Sequence, residues 1–123
     1  MAIQKGSEDI TVAELADDPQ FTDELNVLMD SIDAKPSNVV LNFAAVSFIN
    51  SSNVARLLRL RKAMLNDGKR LIFCDVNTQV WGIFLVTGLD KIFEFTNDVA
   101  TALATVQMMG GKTEKSKKSR AKQ

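Results

Sequence analysis

Short runs of β-branched and aromatic residues alternate along this chain with stretches whose apolar residues return every three or four positions. That alternation is its tightest constraint on the fold. A period of two marks a strand, and a period near 3.6 marks a helix. Ile10 to Leu15 alternates apolar and polar residues, as a half-buried strand does. After the turn-forming Asp17-Asp18-Pro19, the residues Phe21, Leu25, Leu28, Met29 and Ile32 lie on one side of an amphipathic helix. Val39-Val40-Leu41-Asn42-Phe43 is compact and apolar, a buried strand. A helix is expected from Asn50-Ser51-Ser52-Asn53 to Asn66, with Val54, Leu57, Leu58, Met64 and Leu65 inward and Arg56, Arg59, Arg61 and Lys62 largely outward. Asn66-Asp67-Gly68 closes it.

Leu71 to Cys74 repeats the buried-strand pattern. Asn77 or Thr78 then caps a helix that buries Val80, Trp81, Phe84 and Leu85 and stops at Gly88. Ile92 to Phe95 is a short strand, and Asn97 caps a last helix with Val99, Leu103 and Val106 inward. Whether Ala2 to Lys5 adds a partner strand is left open. Strand and helix thus alternate four times, and parallel neighbours need crossover helices. The expectation is a single α/β domain over residues 1–109. About four main strands form a mostly parallel or mixed sheet, with helices packed against it.

Beyond residue 109 the composition changes. Residues 1–109 hold 14 acids and 9 bases, a net of −5, whereas 110–123 hold 6 bases and 1 acid, a net of +5; the two sum to zero. The 110–123 segment lacks apolar clusters and is expected to be a disordered basic tail. Without an aromatic for base stacking, it reads as a solubilising extension rather than a specific nucleic-acid contact.

Two omissions narrow the chemistry. The chain has no histidine and one cysteine, Cys74, which removes a Ser/His/Asp or Cys/His device, an internal disulfide and a multi-cysteine zinc site. No cofactor is expected, and the chain is not expected to be an enzyme. The longest apolar stretch, Val80 to Leu89, is interrupted by Gly82, Thr87 and Gly88 and is about half a membrane span. With no signal-like segment in the first nine residues, the expected location is the cytoplasm.

One constellation carries chemistry. Asn50-Ser51-Ser52-Asn53 lies where an apolar segment meets an amphipathic helix. These residues are helix caps in one reading. In the other, a hydroxyl here accepts a phosphoryl group. Unpaired amides and the positive end of the helix dipole tolerate the charge, while a docking partner meets it.

From Val39-Val40-Leu41-Asn42-Phe43 through Val46-Ser47-Phe48-Ile49-Asn50-Ser51-Ser52-Asn53, the chain resembles the central segment of STAS domains, the bacterial anti-sigma-factor antagonists. Further on, Asn66-Asp67-Gly68-Lys69-Arg70-Leu71-Ile72-Phe73 resembles the family's glycine–basic–strand element. Thr87-Gly88-Leu89 is similar to its helix-ending turn, and Ala100 with Ala102-Leu103 to its closing helix. The resemblance implies a STAS-like fold and a protein that binds a serine kinase doubling as an anti-sigma factor. Phosphorylation falls on Ser52, with Ser51 as the alternative, and a serine phosphatase is a candidate for resetting the site. Partner contacts are implied at Asn50, Ser51, Asn53, Val54 and Arg56. The chain departs from the family pattern at Asn50, where the family has aspartate, and at Asn53, where it has glycine. Its short N-terminus leaves the family's opening hairpin incomplete or cramped.

Two rival readings remain. A STAS scaffold subunit of a regulatory or transport assembly keeps the fold without the switch. A receiver-like phosphoacceptor uses Asp17, Asp18 or Asp75 instead of a serine; against it stand four strands where that fold needs five.

Overall fold

The structure, a computed structural model, describes residues 3–7 and 10–108. Residues 110–123, expected to form the basic tail, lie outside the described residues. Five strands form one sheet in sequential order, β1 (Ile3–Ser7), β2 (Ile10–Ala16), β3 (Asn38–Ala45), β4 (Leu71–Cys74) and β5 (Glu94–Thr96). Strands β2 to β5 run parallel, and β1 pairs antiparallel with β2. The open question about the first residues thus has an answer: Ile3–Ser7 form a strand paired with β2, so the opening hairpin, expected to be incomplete or cramped, has both of its strands.

The helices are α1 (Gln20–Ala34), α2 (Ser51–Asn66), α3 (Thr78–Thr87) and α4 (Val99–Met108). Period-two alternation in the strands decides which helix meets which face. Val39, Leu41 and Phe43 of β3, with Phe73 of β4, point to one side and join Phe21, Leu25 and Leu28 of α1, Leu57, Leu60 and Met64 of α2, and Phe84 of α3. Val40, Ile72 and Cys74 point to the other side, where they meet Ala102 and Val106 of α4. Both faces are therefore covered, which explains the continuous apolar runs of β3 and β4.

Several expectations change in detail. Strand β2 is not half-buried, because both of its faces are covered. Ile10 and Val12 meet Ala102 and Val106 of α4, while Thr11, on the side of α1, is buried and its hydroxyl bonds to that of Ser37 at 2.8 Å. In α2 the inward residues are Asn53, Leu57, Leu60 and Met64, while Leu58 and Leu65 are exposed. Counting from Asn53 by steps of four and three reaches Leu57, Leu60 and Met64; Leu58 and Leu65 fall outside that stripe. Leu85 of α3 is likewise exposed. The last strand starts at Glu94 because Leu89–Lys91 form a single 3-10 turn. Asp98, not Asn97, caps α4, its carboxylate accepting from the Thr101 amide at 2.8 Å. Gly88, at φ +78°, ends α3 in the left-handed conformation expected of a glycine there.

Phe73 is the hub of the main core. Its ring lies 4.5 Å from Phe93 and 5.0 Å from Phe43, with Phe84 and Phe95 within 5.8 Å. At the far edge Arg70 makes a two-pronged pair with Glu94, joining the starts of β4 and β5. Replacing Phe73 by alanine should lower unfolding free energy by about 3–5 kcal/mol. Phe48, although in an apolar segment, is 58% exposed, and Phe48→Ala should change it by no more than about 0.5 kcal/mol. Urea unfolding of both variants checks the pair.

Candidate functional site

Parallel strands end at one edge of the sheet, and there the loop from β3 into α2 passes beside the turn from β2 into α1. Residues 46–50 have no regular structure, so their amides need partners from outside the sheet ladder. Val46 and Ile49 anchor the loop by burial. Polar ties do the rest. Asp17 takes the Ser47 amide on Oδ1 at 2.8 Å and the Ser47 hydroxyl on Oδ2 at 2.6 Å, and Oδ1 also lies 3.4 Å from the Phe48 amide. Asn77, the cap of α3, donates its side-chain amide to the Val46 carbonyl at 2.8 Å.

The start of α2 is closed by a reciprocal capping box. The Asn50 side chain accepts from the Asn53 amide at 2.8 Å, and the Asn53 side chain accepts from the Asn50 amide at 3.0 Å. Asn53 is buried, so its remaining NH2 needs an acceptor. Asp18 provides it: Oδ2 takes Asn53 Nδ2 at 2.9 Å and lies 3.5 Å from Asn50 Nδ2. The other oxygen of Asp18 accepts from the amide and hydroxyl of Thr22, starting α1. Position 50 lacks a carboxylate, but Asp18 brings one to the same cap from the turn between β2 and α1.

These bonds explain the acidity of both carboxyls. The Ser47 hydroxyl, then the Ser47 amide, holds Asp17 below the ordinary carboxylate range; Asn53, then the Thr22 hydroxyl, does so for Asp18. Cys74 is chemically quiet by comparison: burial, with the charges of Asp75 and Asp98, pushes its thiol up to about 12.

Ser51 and Ser52 occupy the first two positions of α2, and both are exposed. Neither hydroxyl bonds to another described residue. The capping box satisfies Asn53 N and the turn satisfies Val54 N, so the amides of Ser51 and Ser52 remain the open donors of this helix end. Asn50, Ser51, Ser52 and Asn53 are thus brought together. Val54 is half-buried and packs on the core, and Arg56 is directed to α1, where Nη1 donates to Asn26 Oδ1 at 3.0 Å. Phe84 is wholly core, whereas Trp81 is partly exposed and lines an open cleft of about 250 Å³ with Phe95 and Thr96.

In the sequence Asp17 and Asp18 read as turn residues or, in the receiver-like alternative, as phosphoacceptors, and not as partners of the β3–α2 loop. Their partners lie about thirty positions away, and only the parallel pairing of β2 with β3 brings the two strand ends together. The nearest signal in the sequence is the pair of adjacent acids directly after a strand, which by itself does not name their partners.

Comparison with known proteins agrees with this architecture. The STAS domain model matches residues 9–102, and the chain belongs to that family. An anti-sigma factor antagonist from Thermotoga maritima is similar in fold at 15% identity, with a TM-score of 0.76 over 85% of this chain and 92% of that one. An anti-sigma-factor antagonist domain protein from Planctomyces limnophilus is similar at 18% identity, with a TM-score of 0.73 over 87% and 99%. The Bacillus cell fate determinant SpoIIAA in its phosphorylated form is also similar, at 18% identity and a TM-score of 0.68 over 85% and 96%.

The receiver-like reading falls here. The sheet has five strands after all, but in the order 1-2-3-4-5 with an antiparallel edge, whereas the receiver arrangement is 2-1-3-4-5. Among the described residues no three Asp, Glu, His or Cys side chains gather as a metal site, and no helix is long and apolar enough to cross a membrane.

Removing the buried Asn53 side chain strands the Asn50 amide and one bond of Asp18, so Asn53→Ala should cost about 1–3 kcal/mol by urea unfolding. A carboxyl with a lowered folded pKa stabilises above its unfolded value, about 4, and loses that contribution as pH falls through the folded value. The drop in urea midpoint between about pH 6 and pH 3 should therefore shrink in Asp17→Asn/Asp18→Asn. An unchanged drop contradicts the assignment.

Proposed function

We propose that this chain is a non-catalytic binding switch in the anti-sigma manner. It docks a serine-kinase anti-sigma factor at the β3–α2 junction and leaves it when Ser52 is phosphorylated, Ser51 being the alternative acceptor. The observation that carries this reading is the pair of exposed hydroxyls on a helix start whose other polar groups are already engaged. A kinase reaches them without unfolding the loop. The product places nearly two negative charges over the open amides of Ser51 and Ser52, which the helix end accommodates. The same charge sits on the surface a partner must approach, so binding rather than folding changes.

Asn50, Ser51 and Asn53 form the rim of the docking face in this reading. Val54 and Arg56 act from beneath it, one through the core and the other through Asn26. ATP and magnesium come with the kinase. A serine phosphatase resets the site, and the location is cytoplasmic, where these partners act. Residues 110–123 form a solubilising tail outside the domain.

A second reading has one observation in its favour. The Asn50–Asn53 box and Asp18 satisfy the cap internally, which suits a scaffold subunit that binds without being modified. Incubation with ATP and a serine-kinase anti-sigma factor encoded next to this chain, followed by intact mass measurement, separates the two. The switch predicts the mass of one phosphate, lost in Ser52→Ala. It also predicts that Ser52→Glu binds the kinase at least about tenfold more weakly, roughly 1.4 kcal/mol. Intact binding with no mass gain supports the scaffold.

A further inference from the structure

Helices α1 and α2 carry opposite charge. Gln20–Ala34 contains Asp23, Glu24, Asp30 and Asp33 and no base, while Ser51–Asn66 contains Arg56, Arg59, Arg61 and Lys62 and no acid. Asp23, Asp30, Asp33, Arg59 and Lys62 are exposed. None of these five has an ion-pair partner among the described residues, in contrast to Arg70 and Glu94. The two helices pack side by side on one face of the sheet, and both follow the same strand-to-helix crossover, so they run in the same direction.

We propose that two copies of this chain associate face to face, the acidic α1 of each protomer lying over the basic α2 of its partner. A two-fold axis running between α1 and α2, parallel to both, produces this arrangement: it exchanges left for right and keeps the helix directions. A symmetric interface requires one patch that complements itself, and an acidic stripe beside a basic one meets that condition. Val27 and Leu58 add exposed apolar surface to the two stripes. Each exposed ion pair is weak and screened by salt, so the dimer is weak and salt-sensitive. It needs no kinase, so its test is independent of the switch.

Sedimentation velocity of the full chain over a concentration series supplies that test. In about 20 mM salt the sedimentation coefficient should rise with concentration from monomer toward dimer, and in about 500 mM salt it should not. Arg59→Glu/Lys62→Glu and Asp23→Lys/Asp30→Lys should each stay monomeric. The quadruple variant, whose net charge equals that of the original chain, should dimerise again because the signs at positions 23 and 30 and at positions 59 and 62 are both reversed and so oppose once more. All four positions are exposed, and circular dichroism checks that each variant folds. Monomers at every salt concentration overturn the proposal; they indicate that the stripes merely neutralise each other within one protomer. A dimer that persists in Arg59→Glu/Lys62→Glu, or a quadruple variant that stays monomeric, overturns it too.

Discussion

Two neighbouring carboxylates at the end of one strand hold the exit of the next. Asp17 and Asp18 are acceptor-only groups, and between them they engage Ser47, Thr22, Asn53 and Asn50. The β3–α2 loop has no ladder of its own, so these bonds, with the burial of Val46 and Ile49 and the Asn77 tie to Val46, give it one shape. A loop held in this way presents the first turn of α2 in one orientation, and a recognition surface needs that more than it needs stability. The brace also crosses from one βα unit to the next, so the site belongs to the sheet rather than to a single helix.

The sheet makes the brace feasible. Parallel pairing aligns the ends of β2 and β3, and the main core beneath them is stiffened by the ring cluster around Phe73. On the opposite face α4 covers Val40, Ile72 and Cys74, so the sheet is not free to flex away from α2. Function on such a frame requires nothing buried to react. The thiol of Cys74 is shielded, and the polar chemistry lies at the exposed edge.

Much of this architecture was legible because local pattern and tertiary role agreed. The runs Val39–Phe43 and Leu71–Cys74 are strands on propensity and burial alike, and Gly68 and Gly88 stop helices where left-handed backbone is required. The misreadings have two causes, burial decided by a distant element and the angle at which a helix presents its apolar stripe. Thr11 looked like a solvent-facing strand residue, yet it lies on the side of α1 and is buried with its hydroxyl bonded to Ser37, and Leu58 and Leu65 looked inward although the helix angle carries them past the core. In the site, Ser51, Ser52 and the capping role of Asn50 were visible locally. The brace was not, since no window of local sequence joins Asp18 to Asn53.

Amide hydrogen exchange across residues 46–54, followed by NMR near neutral pH, probes the brace most directly. The Ser47, Asn50 and Asn53 amides, bonded to side chains, should exchange markedly more slowly than those of Ser51 and Ser52, which open to solvent. Uniformly fast exchange across the whole loop, Ser47 and Asn53 included, would contradict the account, because the junction would then have no fixed shape to present.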